Sequence, residues 1–396
     1  MKIKSALSYF KPLHAPLKLL TFLFALVLVV SVVINISQKK ENDKLALELA
    51  ETKKTLDVHI EELTALKKED QYVKNKQLEE TIKNIEDTYK QSVGMYEKLL
   101  DLKGKTKEVE DLDTLFAQAL TYLSERNYAS GAATLKSIGA KILEKDQEIA
   151  STFSIPVNVV QSNAPPGAGY KRQTVKAEIG EYLVDIIAAD LNSTRVIVDT
   201  ASDGDCKNDC PVSSLADYAS RSGAFAGING PYFCPADYPS CADKKNSFDT
   251  LLMNKNKVYF NSDNNVYSSV PAIIFSGGSG RIVGQSLEWG RDTGVDSVIA
   301  SQPMLLSGGN NVFGGDDEPK RGTKGSRSFV GSSGNMAYIG VVHNATVAEV
   351  AYVLKSLGLQ SAINLDSGGS TALIYNGSYL IGPGRNTPFG ILFVSK

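Results

Sequence analysis

The chain has 396 residues, with 42 Lys and Arg against 44 Asp and Glu, a formal net charge of −2, three histidines and four cysteines. This near-balance, with no basic stretch interleaved with aromatics, gives no sign of a nucleic-acid binder of the usual electrostatic kind. The length leaves room for more than one domain.

The N-terminus predicts an anchor. Lys2, Lys4, Lys11 and Lys18 precede Leu19 to Ile36, a run without a charge. At about 1.5 Å per helical residue this run just spans a hydrocarbon core of about 30 Å. Ser31 to Ser37 offers no small-x-small cleavage site, which favours an uncleaved signal anchor over a cleaved signal peptide. The basic residues before the run outweigh the mixed Lys39, Lys40, Glu41, Asp43 and Lys44 after it. The expected topology is therefore a single-pass cell-membrane protein, with residues 1–18 a cytoplasmic tail, 19–36 the anchor and the remainder extracytoplasmic.

From Gln38 to about Leu100 there is no proline, one glycine (Gly94) and an abundance of Lys and Glu, which predicts a coiled-coil-like helical stalk over 37–110. Leu49, Leu56 and Leu63 repeat every seven residues, with Leu45, Leu66 and Val73 in the companion register. A second seam uses Leu78, Ile82, Ile85, Tyr89, Tyr96 and Leu99. Asp70, Gln71, Asn75 and Gln77 fall where the registers change, which argues against one continuous tight seam and leaves a homo-oligomer through the stalk open. Residues 111–150 predict a helical hairpin turning at Glu125 to Tyr128, a spacer without chemistry of its own, and 151–170 has linker composition.

Residues 171–396 suffice for one sizeable core. Apolar or alternating runs at Val175 to Ile179, Tyr182 to Ala188, Thr194 to Asp199, Ala272 to Phe275, Met336 to Val342 and Gly390 to Val394 predict strands. Helical spacing appears at Val212 to Arg221 and Val347 to Leu357, so the class is α+β with mixed sheets. Cys206, Cys210, Cys234 and Cys241 all fall within this domain. Two disulfides are expected over a four-thiolate zinc site, because Cys234-x6-Cys241 is a loose spacing for zinc and an exported domain meets an oxidising compartment. The three pairings are not distinguished, and either way the cysteines are expected to fasten the segment after Asn229 to the loop before Pro211.

The chemistry-bearing stretch is Ser361 to Tyr375. Ala362, Ile363 and Leu365 predict one buried strand and Ala372, Leu373 and Ile374 another; Asp366, Ser367, Gly368, Gly369, Ser370 and Thr371 lie between. Glycines let backbone N–H groups approach a ligand, and successive amides can cradle an anion. The same residues are also good hairpin-turn chemistry.

Taken with Ala224 to Phe233, Gln302-Pro303-Met304-Leu305-Leu306, Ser326-Arg327-Ser328, Thr346 to Gly358 and Arg385 to Pro388, this stretch resembles the phosphodiester glycosidase family from about Lys171 to the C-terminus. That family is typified by the lysosomal-pathway enzyme that uncovers mannose 6-phosphate and has bacterial exopolysaccharide-related members. The resemblance implies a mixed-sheet glycosidase domain that hydrolyses sugar-1-phosphodiester linkages, here in phosphate-linked glycans of the cell envelope. The other class of reading is a non-catalytic glycan-binding or envelope-structural module. Arg327 and Arg385 suit bidentate contact with the phosphate. Ser367, Gly368, Gly369, Ser370 and Thr371 would add amide and hydroxyl contacts. Asp366 would be the proton-transfer or nucleophilic group, or the ligand of a divalent cation such as calcium; no cofactor is fixed by the sequence. Asn229 would donate to a sugar hydroxyl or a phosphate oxygen. Three positions depart from the family pattern: Pro231 stands for the second glycine of Asn-Gly-Gly, Ser367 for the first glycine of the turn, and Val341-Val342-His343-Asn344 where a strand often ends in Asp-Gly. His343, the domain's single histidine, could take an acid/base role there, with a surface or capping role as its rival.

Overall fold

The computed structural model describes residues 14–263 and 268–396. Lys2, Lys4 and Lys11 of the expected cytoplasmic tail, and the side chain of Lys18, lie outside what is described. The chain divides into two compact units, 1–84 and 85–396.

In the first unit, helix α1 (His14–Lys68) carries the apolar run straight into the polar, Lys- and Glu-rich segment without a break. Within it, Leu20–Lys68 includes a stretch long and apolar enough to cross a membrane, and its large apolar side chains, Phe22 and Phe24 among them, are exposed. The predicted single stalk helix is interrupted at Glu69, and α2 (Asp70–Lys103) follows. Backbone bonds from Glu69 N–H to Leu66 and from Tyr72 N–H to Glu69 bridge the interruption. The break coincides with the polar residues at which the two heptad registers fail to join, where no apolar seam favours a continuous rod.

The second unit begins inside α2. Its last turns pack against α3 (Glu110–Ser124) and α4 (Tyr128–Thr152) through Leu99, Leu102, Leu112, Ala119, Leu135 and Ile138. Asn127 caps α4 by accepting the Ser130 N–H. The hairpin predicted from periodicity is therefore the larger part of a three-helix cluster, with α2 as the third member. Residues after α4 are stitched to the sheet: Asn163 exchanges bonds with the Lys176 backbone, and Gln173 Nε2 reaches the carbonyls of Ser162 and Ala164.

Three antiparallel sheets follow. The largest runs β1 (Gly169–Ala177), β2 (Gly180–Asp190), β13 (Met336–Ala345), β12 (Gly325–Ser333), β14 (Ser361–Asn364), β10 (Met304–Ser307) and β11 (Asn310–Asn311). The second runs β16 (Ser378–Ile381), β15 (Leu373–Tyr375), β4 (Ala226–Asn229), β17 (Phe389–Ser395) and β3 (Thr194–Thr200). The third runs β6 (Tyr259–Phe260), β5 (Leu252–Met253), β9 (Ser297–Ala300), β7 (Ala272–Ser276) and β8 (Ser279–Val283). Alternation along each strand gives the large sheet two buried faces. Val330, Ile339, Val341 and Ile363 meet Ile228, Leu373, Ile391 and Phe393 of the second sheet and Phe275 and Ile299 of the third. Phe329, Val342 and Val184 point the other way, against α6 (Val347–Ser356). Thr346 and Glu349 form a full capping box at the start of α6. The outer face of the second sheet is covered by α5 (Leu215–Ser222), which is capped by Ser214 and so starts three residues later than its periodicity predicts.

Leu99 has no exposed surface, whereas Leu63 is 55% exposed. Leu99→Ala should therefore lower the stability of the second unit by about 2–5 kcal/mol in urea unfolding, and Leu63→Ala should change it by less than about 0.5 kcal/mol. Equal effects would show that the end of α2 is not part of the core.

Candidate active site at the Asp366 loop

The Asp366 loop is a crossing between sheets, which overturns the hairpin reading of Asp-Ser-Gly-Gly. Strand β14 pairs with β12 and β10, whereas β15 pairs with β4 and β16. Leu365 is fully buried at the point of departure, and the Asp366 N–H donates to Gly230 O at 3.2 Å. The chain then makes one 3₁₀ turn, Gly368–Ser370. Gly368 sits at φ +64°, the left-handed region that glycine tolerates. At Gly369 a Cβ would come within 2.6 Å of Arg385 Nη2, so the missing side chain is what lets the guanidinium lie on the turn.

Asp366 is part-buried, and its carboxylate accepts the Ser367 N–H at 2.9 Å and a hydrogen bond from Ser370. Burial pushes this carboxyl up to about 6, against the opposing pull of Ser370, the Ser367 N–H and the Arg385 charge; the Asp101 charge adds to the rise. Arg385 is held from below by its own N–H on Gly369 O, 2.8 Å, and its guanidinium carbon lies 5.5 Å from the centroid of the Tyr238 ring. Tyr232, on the loop after β4, is pushed up to about 12 by burial and then by the Asp366 charge, and it accepts a 2.6 Å bond from Asn364 Nδ2.

Asn229 and Arg327 are turned inward. Asn229 is 1% exposed; its Nδ2 donates to Asp366 O at 2.6 Å, and its Oδ1 accepts from Ser328 Oγ at 2.8 Å and Ala372 N–H at 3.2 Å. It positions the loop, a different task from the ligand contact expected of it. Arg327 is buried, with Nε on Ala345 O at 3.1 Å and Nη2 on Lys320 O at 2.7 Å and on Thr323 O. Burial lowers its pKa while Tyr232 and Asp366 counter that effect, so its charge is felt at the site even though these bonds fix it to backbone.

Ser367 Oγ accepts the Ser328 N–H at 3.3 Å, and the Thr371 hydroxyl is buried with no hydrogen-bond partner among the described residues. His343 belongs to a different group of residues. Its Nε2 is 2.6 Å from Asp185 Oδ2, its ring stacks on Phe153, and Asp185 also accepts from Tyr170 at 2.5 Å. None of these contacts joins His343 to the Asp366 loop, because its strand end faces the end of α4. No local pattern assigns a role to Tyr238, Lys320 or Asp101: Tyr232 lies within Ala224 to Phe233, whereas Asp101 sits in a helical repeat with nothing to mark it.

The cysteines pair locally, Cys206 with Cys210 and Cys234 with Cys241. This corrects the expectation that the bridges tie the two segments together. Hydrogen bonds do so instead: Cys210 N–H to Lys245 O, Lys245 N–H to Asn208 Oδ1 and Asn246 Nδ2 to Cys210 O. Among the described residues no group of three or more His, Cys, Asp or Glu is placed to hold a metal ion.

The family model for phosphodiester glycosidase (NAGPA) matches residues 222–394. No curated protein matches the chain. Among solved structures, a hypothetical protein from Synechocystis aligns over 57% of this chain at 12% identity with a TM-score of 0.40, and the chain spans 62% of that protein's length. The zebrafish N-acetylglucosamine-1-phosphodiester alpha-N-acetylglucosaminidase catalytic domain, auto-inhibited by its pro-peptide, aligns over 59% of this chain and 85% of its own, at 14% identity and a TM-score of 0.43.

Folding raises the Asp366 carboxyl from its unfolded value of about 3.9 to about 6. Between those pH values the folded chain holds a proton that the unfolded chain has released. The group therefore costs no stability below about pH 4, costs more as pH rises, and carries the full penalty above about pH 6. Asp366→Asn should be more stable than the parent at pH 7.5 by about 1–3 kcal/mol, with the difference gone at pH 4. Urea unfolding at the two pH values checks this, and an Asn variant less stable at pH 7.5 would refute it.

Proposed function

Because residues 222–394 match the phosphodiester glycosidase family model, we propose that the chain hydrolyses sugar-1-phosphodiester linkages in cell-surface glycopolymers, held at the outer face of a membrane by its N-terminal helix. The observation that carries the reading is the nearness of Asp366, a carboxyl raised to about 6 that feels the Arg385 charge, to the Arg385 guanidinium lying on the glycine turn. Such a carboxyl is poised to exchange a proton near neutral pH, and the guanidinium matches a phosphodiester monoanion.

In this reading Arg385 binds the diester and takes up the charge that gathers on the departing phosphate. Asp366, ionised above about pH 6, removes a proton from the water that attacks the anomeric carbon. The bond from that carbon to the phosphate oxygen breaks, a bond to the water oxygen forms, and the products are a free sugar and a phosphomonoester. Direct attack by Asp366 on the anomeric carbon is the covalent version of the same assignment. The buried, positioned Asn229 and Arg327 support this chemistry by holding the loop and adding positive potential.

A second reading, a glycan-binding module without turnover, is favoured by one fact: the side chains of Asn229 and Arg327 are engaged inside the protein. The full chain incubated with a panel of sugar-1-phosphodiesters separates the two readings. Phosphomonoester release that falls about 10²- to 10⁴-fold in Asp366→Asn supports the enzyme. Arg385→Ala should lower kcat/KM with a raised KM, because the phosphate contact serves ground and transition states alike. Saturable binding with no product release would establish the module instead.

For the tether, the long exposed apolar helix and the two disulfides support an anchored, extracytoplasmic domain. The protein should stay with membranes after carbonate washing, and its C-terminal unit should be digested by protease added to intact cells. A soluble product beginning near Ser37 would overturn the anchor.

A further inference from the structure

Two acidic residues of α2, Glu97 and Asp101, are four apart and so share a helix face. Both face the loop closed by the Cys234–Cys241 disulfide. Glu97 Oε1 accepts the Ser240 N–H at 3.0 Å, and Asp101 Oδ1 accepts the Tyr238 hydroxyl. The other oxygen of Asp101 lies 3.0 Å from Lys320 Nζ. Lys320 Nζ is 4.6 Å from the centroid of the Tyr238 ring, the same ring that Arg385 approaches at 5.5 Å. Just past the helix end, a Cβ on Gly104 would lie 3.9 Å from Gly369 Cα, so this end of α2 rests on the Asp366 loop. Lys320 is held above its usual pKa, because Asp101 and Tyr238 together outweigh the burial that would lower it.

Two cations thus lie against the Tyr238 ring beside the glycine turn, and the anion that Lys320 and the Tyr238 hydroxyl hold is supplied by a helix outside the matched domain. Arg385 has no carboxylate within 4.0 Å among the described residues, so of the two cations only Lys320 is directly paired. We propose that Lys320, Arg385 and Tyr238 form a subsite for the phosphate of the ligand, and that the Asp101 carboxylate is its internal occupant, which an incoming phosphate displaces from Lys320. The inference rests on the reading that the ligand carries a phosphate, and it adds residues and a competing internal anion to that reading. Asp101 is 29% exposed and Lys320 50% exposed in their side chains, so the pair is open to solvent and an ion can reach it.

The test is isothermal titration of the detergent-solubilised full chain with inorganic phosphate, with methyl glucoside as the uncharged control. Asp101→Asn keeps an acceptor for the Tyr238 hydroxyl but removes the competing charge, so phosphate should bind about 3- to 10-fold more tightly. Lys320→Met should weaken binding by a similar factor. Glu97→Gln, on the same helix face but away from the cations, should leave it within about 2-fold. Phosphate affinity unchanged or weakened in Asp101→Asn would overturn the proposal, as would no phosphate binding by either protein. Equal tightening in Glu97→Gln would overturn it too, since release of the helix rather than removal of an anion would then be the cause. Because no turnover is measured, a failure of the hydrolysis reading would leave these outcomes unchanged and separately readable.

Discussion

The side-chain amide of Asn229 is the contact on which the candidate site depends. It lies at the end of β4, in the second sheet, and its oxygen accepts from Ser328 of β12, in the first. Its nitrogen holds the carbonyl of Asp366, and its oxygen also takes the N–H of Ala372, where the loop re-enters the second sheet. One buried amide therefore satisfies polar groups from two sheets and both ends of the loop between them. In an interior of low dielectric an unsatisfied group of this kind costs about 1–3 kcal/mol, so the three partners are held as a set. Asparagine suits the position because it carries donor and acceptor on one short, rigid side chain.

Around that clamp the charges are arranged unequally. Asp366 is raised by burial, while the nearby cations are held in different ways: Arg327 by backbone carbonyls, Lys320 by Asp101, and Arg385 by the Tyr238 ring and the bare backbone of Gly369. Fixing a guanidinium through carbonyls and ring faces leaves its charge uncancelled. That is the condition under which an anion gains most from it.

The helical segment before the sheets is more than a spacer in this arrangement. The last turns of α2 bury Leu99 and Leu102 among α3 and α4 and direct Glu97 and Asp101 at the disulfide loop. Apolar packing on one side of the helix and polar contacts on the other place the helix end on the loop.

Patterns a few residues long were readable along the chain. The charge-free run from Leu19 to Ile36 marks a helix fit to cross a membrane, and the helical spacing after it marks α1 and α2, though not the interruption between them at Glu69. The alternating runs mark most of the principal strands, and Asp366 to Thr371 marks a polar turn between buried strands. These features were legible because each depends on residues a few positions apart. Long-range packing alone places β14 and β15 in different sheets, pairs the cysteines within their own loops, turns Asn229 inward, sets His343 on Asp185 and brings Asp101 to Lys320. Asp101 and Lys320 are separated by more than two hundred residues of chain. Their meeting follows from how helix and sheet surfaces bury apolar area together, and no periodicity along the chain records that.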